Sequence, residues 1–324
     1  GRNSGVLHAG IYYKPGTLKS KVCVEGAKRL KKWVIKRNLP INNCGKIIVP
    51  QKEHLDSQID ELAMRGSKNG ADVEIWDQKQ LLQFSPLVRS SSGRALWSPN
   101  TSVVKPITII QSLYSELIKK GVEIINLGRG QTWKVAPEKK SILINKSQEI
   151  RYDFFINCAG LQSDMIAHLF GLGNEFRIIP FKGLYWKIKE SSNLEIKSNV
   201  YPVPDLNVPF LGVHFTPSAE EKPIISIGPT ATPALGRENY KTFEAIEPIN
   251  SFNNLFLLCK QYLLDQNGFR KYAQEQLLLS LFPLMLKSAQ ELIPSIRAED
   301  IETSDKVGIR SQLFNLQKQK LEDD

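Results

Sequence analysis

The sequence predicts an α+β chain of two closely connected parts: an α/β layer of nucleotide-binding type and a separate antiparallel sheet. Three observations predict it. Residues 150–160 (IRYDFFINCAG) alternate in polarity and run into a small-residue turn and a helix start, a layout that lets a nucleotide lie against backbone amides. Residues 178–227 hold four strand-like segments, IIPFKGLYWKI, NVYPV, PFLGVHF and PIISIGP, separated by Pro, Gly and Asn at meander spacing. The chain has 324 residues, 41% of them apolar, which is too long for one compact unit and enough for a large core.

The elements follow in order. The opening, GRNSGVLHAGIYYKPG, is dense in small residues. Gly5, Ala9 and Gly10 let backbone approach a flat ligand, and Asn3, Ser4 and His8 add hydrogen-bonding groups at short intervals. After the Pro15–Gly16 turn, residues 19–37 carry eight Lys and Arg against Glu25 alone, with Val22, Ala27, Leu30 and Val34 at helical spacing opposite. This is an amphipathic helix with a basic face. Residues 44–50 (CGKIIVP) predict a strand, and 52–70 a helix ending at Gly70. Pro106 opens a helix with Ile107, Ile110, Leu113, Tyr114 and Leu117 along one face, and Lys119, Lys120 and Gly121 close it. A strand is expected over 122–127, a hairpin or small meander over 132–145, and a further strand from Ile150 to Cys158. Ser163 or Asp164 is expected to cap the helix that begins near Met165. Residues 251–290 return to helical periodicity.

Charge and cysteine usage narrow the function. The net charge is +10, and the basic helix face reads as solvated, with anionic lipid or a dianionic substrate as the sharper alternatives. Nucleic-acid binding ranks behind these, because no aromatic-interleaved basic motif or zinc finger accompanies the charge. The four cysteines are far apart without metal-ligand spacing, which fits reduced thiols and no metal site. No apolar run approaches the ~18 residues of a membrane span, and 277–286 (LLLSLFPLML), short and broken by Pro283, reads as a core helix. No signal-peptide pattern opens the sequence. A cytoplasmic protein is expected, with peripheral contact at the inner membrane as the alternative.

Nine segments in order carry a family resemblance: the opening sixteen residues, CGKIIV, NCAGLQSD (157–164), IIPFKGLYW (178–186), YPVPD (201–205), PFLGVHFTP (209–217), IGPTA (227–231), RENY (237–240) and VGIRSQ (307–312). The chain resembles the FAD-dependent L-2-hydroxyglutarate oxidases and dehydrogenases of the D-amino-acid-oxidase-like superfamily. The resemblance implies an FAD cofactor and oxidation of a 2-hydroxy dicarboxylic acid to the 2-oxo acid by hydride transfer to flavin N5. It also implies oxygen or a membrane quinone as electron acceptor. Carried residue by residue, it assigns Asn3, Ser4, Gly5, Val6, His8, Ala159 and Gly160 to the cofactor. His8 and His214 become the candidate bases, since an imidazole titrates near neutral pH. Arg310, Lys182 and Tyr13 join the substrate set, Arg310 as a bidentate fork and Lys182 as a point charge where relatives have Arg.

Plainer readings stand beside these. An isolated strand His is usually a packing residue, Arg310 would serve as a surface ion pair, and Tyr12 and Tyr13 as core aromatics. His54 and His168 are assigned no role, and Asp164 reads as a cap. Arg2 stands where relatives usually have His, and Thr230 where they have Asn. The implied domains are 1–50 with 100–175 and 290–324 for the cofactor, and 51–99 with 176–289 for the substrate. The GxGxxG fingerprint is absent, so the resemblance implies a fold without its first βαβ unit, truncated at both ends. Alternatives are a same-superfamily enzyme for an amino acid or glycerol 3-phosphate, and a cofactor-free remnant. This polypeptide alone is expected to bind FAD poorly or not at all; a flavin absorbance band at full stoichiometry after purification would contradict this.

Overall fold

The computed structural model describes residues 2–127, 132–145, 147–204, 212–265 and 268–322. Gly1, Asp205 and residues 209–211 of the quoted segments lie outside them. The strands are β1 (Val6–Leu7), β2 (Ile41–Asn42), β3 (Lys46–Val49), β4 (Glu74–Trp76), β5 (Ala95–Ser98), β6 (Ser102–Val104), β7 (Trp133–Ala136), β8 (Ser141–Ile144) and β9 (Gln148–Arg151). Then follow β10 (Phe176–Ile188), β11 (Asn199–Pro202), β12 (His214–Pro217), β13 (Ile225–Gly228), β14 (Thr232–Pro233), β15 (Ile301–Asn315) and β16 (Lys320–Leu321). The helices are α1 (Leu18–Lys36), α2 (Ser57–Lys68), α3 (Gln78–Phe84), α4 (Pro106–Lys119), α5 (Ser163–Leu169), α6 (Pro248–Leu264), α7 (Phe269–Leu279) and α8 (Phe282–Leu292).

A ten-stranded sheet runs β16–β15–β10–β13–β12–β11–β3–β5–β4, with β14 also on β10. It is antiparallel except where β11 lies parallel to β3. Two three-stranded sheets, β1–β6–β2 and the meander β7–β8–β9, accompany it. The fold is α+β.

Side-chain alternation assigns the two faces of the large sheet. Ile47, Val200, Phe215 and Ile227 pack with Met285, Ala289 and Leu292 of α8 on one side. Ile48 and Tyr201 pack with Ile59 and Leu62 of α2 on the other. Strand β3 is buried on both faces, as its apolar run requires. Lys46 shares the parity of Ile48 and so enters the α2 side as a charge among apolar neighbours.

Several expectations need correction. Residues 122–127 form no strand, and the strand expected from Ile150 to Cys158 ends at Arg151. No ladder partner lies beside either segment among the described residues, and alternation alone cannot make a strand. The apolar face of α4 is exposed, as are Phe154 and Ile156. Val22 is 61% exposed on α1, where only Leu30 and Val34 of the predicted stripe pack inward. The run 277–286 is two helices, because Pro283 sits in the first turn of α8, where its missing N–H costs nothing. Strands β3 to β5 and β15 to β16 join β10 to β13 in one sheet, so the domain boundaries drawn from the sequence cut through it.

Asp164 is no cap: it sits inside α5 with its carboxylate buried. Arg237 Nη2 donates to its Oδ2 at 2.9 Å, and the Ile178 N–H donates to the same oxygen at 2.9 Å. The pair ties α5 and the loop after β14 to the start of β10. Removing the cation leaves a buried, unpaired carboxylate, a cost of about 3–5 kcal/mol. Arg237→Ala is therefore expected to lower urea stability by that amount, and the double exchange Arg237→Met with Asp164→Leu to recover most of it.

Candidate active site

The opening loop is held by its own polar groups. Asn3 Oδ1 accepts from the Gly5 N–H at 2.9 Å, and Ser4 Oγ from the Val6 N–H at 3.2 Å. Gly5 has φ +79°, and a Cβ there would stand 2.4 Å from the Val104 carbonyl oxygen, so only glycine brings the loop this close to β6. The loop then delivers His8 to the face of the large sheet that carries Lys46, Tyr201 and His214.

These four side chains form one cluster. His214 stacks on Tyr201 at 3.9 Å between ring centroids and 17° between planes. The His8 ring meets Tyr201 edge-on at 6.4 Å and Tyr12 at 6.5 Å. Lys46 Nζ lies 3.0 Å from His8 Nδ1, over the rings of Tyr201 (4.3 Å) and Tyr12 (5.0 Å). Lys46 is 1% exposed, and no carboxylate pairs with it among the described residues.

Electrostatics follow from burial. Desolvation pushes Lys46 down to about 7. His8 is held well below the ordinary imidazole range by burial, then by the Lys46 charge, then by His214. His214 falls to about 3, chiefly through burial. Its Nδ1 lies 2.8 Å from the Gly212 carbonyl oxygen, an acceptor only, so that nitrogen carries the hydrogen and the ring is the neutral Nδ1–H tautomer.

The cluster opens on a cavity of about 1290 Å³. Asn3, Ser4, His8, Tyr201 and His214 line one part; Phe181, Gly183 and Tyr185 of β10 with Lys306, Gly308 and Arg310 of β15 line another. Strand pairing explains this wall: Phe181 faces Arg310, and Gly183 faces Gly308. Lys306 Nζ sits 4.8 Å over the Tyr185 ring and 3.4 Å from the Ser4 carbonyl oxygen, and burial lowers its pKa. Cations outnumber carboxylates in the lining, with Arg2, Lys105, Lys187, Lys241, Lys306 and Arg310 against Glu220 and Asp305, although Arg2, Lys105 and Lys187 pair with Glu238, Glu220 and Glu302.

The structure thus brings together Asn3, Ser4, His8, His214 and Arg310. It leaves Lys182 out, because Lys182 lies one residue from both Phe181 and Gly183 and points to the opposite face of β10. Tyr13 lies beside Lys19 and is not a wall residue, and Gly5 and Val6 pack on β6. Ala159 and Gly160 belong to a separate turn before α5. Reading the sequence missed Lys46, Lys306, Tyr185 and Tyr201. A lysine inside the apolar run CGKIIVP was the available signal for the first; Tyr185 and Tyr201 lay within the quoted segments IIPFKGLYW and YPVPD without being singled out, and nothing local marked Lys306.

Comparison with known proteins decides the family. Residues 1–317 match the model of the FAD dependent oxidoreductase family. The chain belongs to that family. It is 33% identical to the mitochondrial L-2-hydroxyglutarate dehydrogenase of Caenorhabditis briggsae over 97% of this chain and 72% of that protein. The enzyme of the same name from Homo sapiens is 32% identical, over 97% and 69%. Among solved structures, the FAD-bound L-alpha-glycerophosphate oxidase of Mycoplasma pneumoniae superposes with TM-score 0.68 at 21% identity, covering 96% of this chain and 72% of that one. Glycine oxidase from Geobacillus kaustophilus gives 0.65 at 13%, covering 95% and 71%. The FAD-dependent oxidoreductase fold is common to all of them.

The cavity fits such a cofactor. Its volume exceeds that of an ordinary small-molecule pocket, about 300–1000 Å³. A Cβ added at Gly308 meets nothing within 4 Å, so the wall there is bare backbone open to a flat ring. The excess of cations suits an anionic cofactor and substrate together. Among the described residues, no helix is long and apolar enough to cross a membrane, and no His, Cys, Asp and Glu cluster forms a metal site.

The buried His214 and the half-buried His8 make a pH prediction. Their folded pKa values lie below the unfolded value, so below about pH 6.5 the unfolded chain binds more protons and stability falls with pH. The slope is at most about 1.4 kcal/mol per pH unit for each imidazole. Urea denaturation between pH 7 and 4 is expected to show this loss, and a smaller one in His214→Phe.

Proposed function

We propose that this FAD-dependent oxidoreductase oxidises L-2-hydroxyglutarate, or a closely similar 2-hydroxy dicarboxylate, to the 2-oxo acid. The observation that carries the reading is the β15 wall, where Lys306 and Arg310 flank an open glycine across from the His8 and His214 cluster. A 2-hydroxy dicarboxylate has two anionic ends and a carbinol carbon near one of them. Lys306 and Arg310 offer a cation to each end, Arg310 with a two-pronged geometry that a carboxylate matches. The names of the curated relatives agree with this substrate.

FAD, when bound, supplies the acceptor for the hydrogen and electron pair of the carbinol C–H bond. Of the residues the resemblance assigns to it, Asn3 and Ser4 border the cavity and would hold it there, with Gly5 and Val6 shaping the loop behind them and Ala159 and Gly160 offering a contact outside the cavity. The chain's own tasks are to grip both carboxylates, to align the hydroxyl with His8, and to keep water away with the rings of Tyr201 and Tyr185. His214 takes part as a neutral ring whose Nε2 accepts a hydrogen bond, since its proton affinity is too low for a base at neutral pH. Oxygen or a quinone is the proposed final acceptor.

Anaerobic reduction of the FAD-loaded enzyme tests the substrate directly. L-2-hydroxyglutarate is expected to bleach the flavin band, while glycerol 3-phosphate and amino acids leave it; bleaching by one of these instead would overturn the reading. Arg310→Lys is expected to raise KM about tenfold or more with a smaller change in kcat, and Lys182→Met to leave both within about twofold, changes worth about 1.4 kcal/mol and under half of that.

A further inference from the structure

We propose that Lys46 is the final acceptor of the substrate's hydroxyl proton, which reaches it through the His8 ring. The inference deepens the function proposed above and rests on it for the identity of the alcohol. Its own basis is the 3.0 Å contact between Lys46 Nζ and His8 Nδ1 in a pocket where, among the described residues, no carboxylate meets the lysine.

The groups that face Lys46 are the imidazole of His8, the phenol rings of Tyr12 and Tyr201, and the thiols of Cys23 and Cys44, with His214 on the far side of Tyr201. Burial raises both thiols and both phenols above their usual range, so these groups stay uncharged at neutral pH. An ammonium there has ring faces and the His8 Nδ1 lone pair to stabilise it but no anion among the described residues, so amine and ammonium are close in free energy near neutrality. That balance suits an acceptor that must both take and release a proton.

The hydrogen bond has two forms. An ammonium can only donate, which makes His8 Nδ1 an acceptor and puts the ring hydrogen on Nε2. An amine can accept the Nδ1 hydrogen, which leaves Nε2 as a free lone pair. No protein group bonds Nε2 among the described residues, and the half-buried ring borders the cavity. In the proposed step the substrate O–H bond breaks and Nε2–H forms, while Nδ1–H breaks and a third N–H forms on Lys46. The imidazole starts and ends neutral, and the positive charge ends on the lysine; the oxidation itself is the cofactor's. This removes a difficulty, because His8 acting alone would become an imidazolium beside Lys46 in a site that already depresses its basicity.

The test is the tautomer of His8, followed by long-range 1H–15N NMR of the whole protein without substrate between pH 5.5 and 8.5. The expected result is a switch from the Nε2–H to the Nδ1–H form as pH rises through about 7. Lys46→Met is expected to abolish the switch. A His8 tautomer that does not change with pH in the unmodified protein overturns the proposal, and so does the same titration in Lys46→Met. The first outcome needs no variant, so a variant that fails to fold does not protect the idea. In turnover, kcat of the unmodified enzyme is expected to rise with pH through about 7, and Lys46→Met to lose about 10²–10⁴-fold in kcat with KM little changed. Lys46→Arg keeps the charge but cannot release its proton, so it is expected not to rescue; rescue by Arg overturns the relay. Failure to oxidise 2-hydroxyglutarate would sink the substrate reading alone, since the tautomer switch is read without substrate.

Discussion

The antiparallel pairing of β10 with β15 is the constraint on which the site depends. Its register, from Phe176 opposite Asn315 to Leu184 opposite Val307 and, past a bulge, from Trp186 opposite Thr303 to Ile188 opposite Ile301, fixes which side chains can reach the cavity. Alternation then does the selection: Phe181, Gly183 and Tyr185 face inward with Lys306, Gly308 and Arg310, and Lys182 is excluded by a single residue. A slip by one position would take Lys306 and Arg310 off the face they share with Gly183 and Tyr185. The buried Asp164–Arg237 pair anchors the beginning of this ladder, so a polar contact remote from the cavity helps to keep its wall in register.

The opposite wall answers to a different rule. Tyr12, Tyr201, His8, His214 and Lys46 combine large ring area with polar tips, and the rings exclude the water that would otherwise hydrate the lysine. Burial without a counter-ion is what brings the basicity of Lys46 near neutral, and the same burial keeps both imidazoles uncharged. In the proposed reading the site therefore holds cations for an anionic ligand on β15 and near-neutral proton carriers on β3 and the opening loop. That division suits an enzyme that must bind charge and move a proton without mixing the two tasks.

Much of this was legible in the sequence because it depends on local pattern. The basic helix, the β3 run, the meander and the glycine-softened opening loop all follow from spacing and turn residues. The loop led to Asn3, Ser4 and His8, which the fold does place at the cavity. Long-range facts were not legible. Lys182 and Arg310 look equivalent as isolated cations, and only the register tells them apart. The segment 122–127 reads as a strand but has no partner to bond, and the leucine run at 277–286 conceals a helix break until Pro283 is recognised as an opening rather than an interior residue. Lys46 was visible as a misplaced charge, yet its meaning came from the aromatic rings contributed by residues 12 and 201.

The two facing glycines of the β10–β15 ladder are not interchangeable. A methyl group at position 183 would approach Pro229 Cβ to 2.8 Å and the Thr230 carbonyl to 3.0 Å, whereas one at 308 would point into empty space. Position 183 is thus a keystone, locked by the turn packed against it, and position 308 is a clearance. Any side chain at 308 would occupy the room the cavity keeps for a planar group, so one glycine of the pair holds the sheet tight and the other holds space vacant.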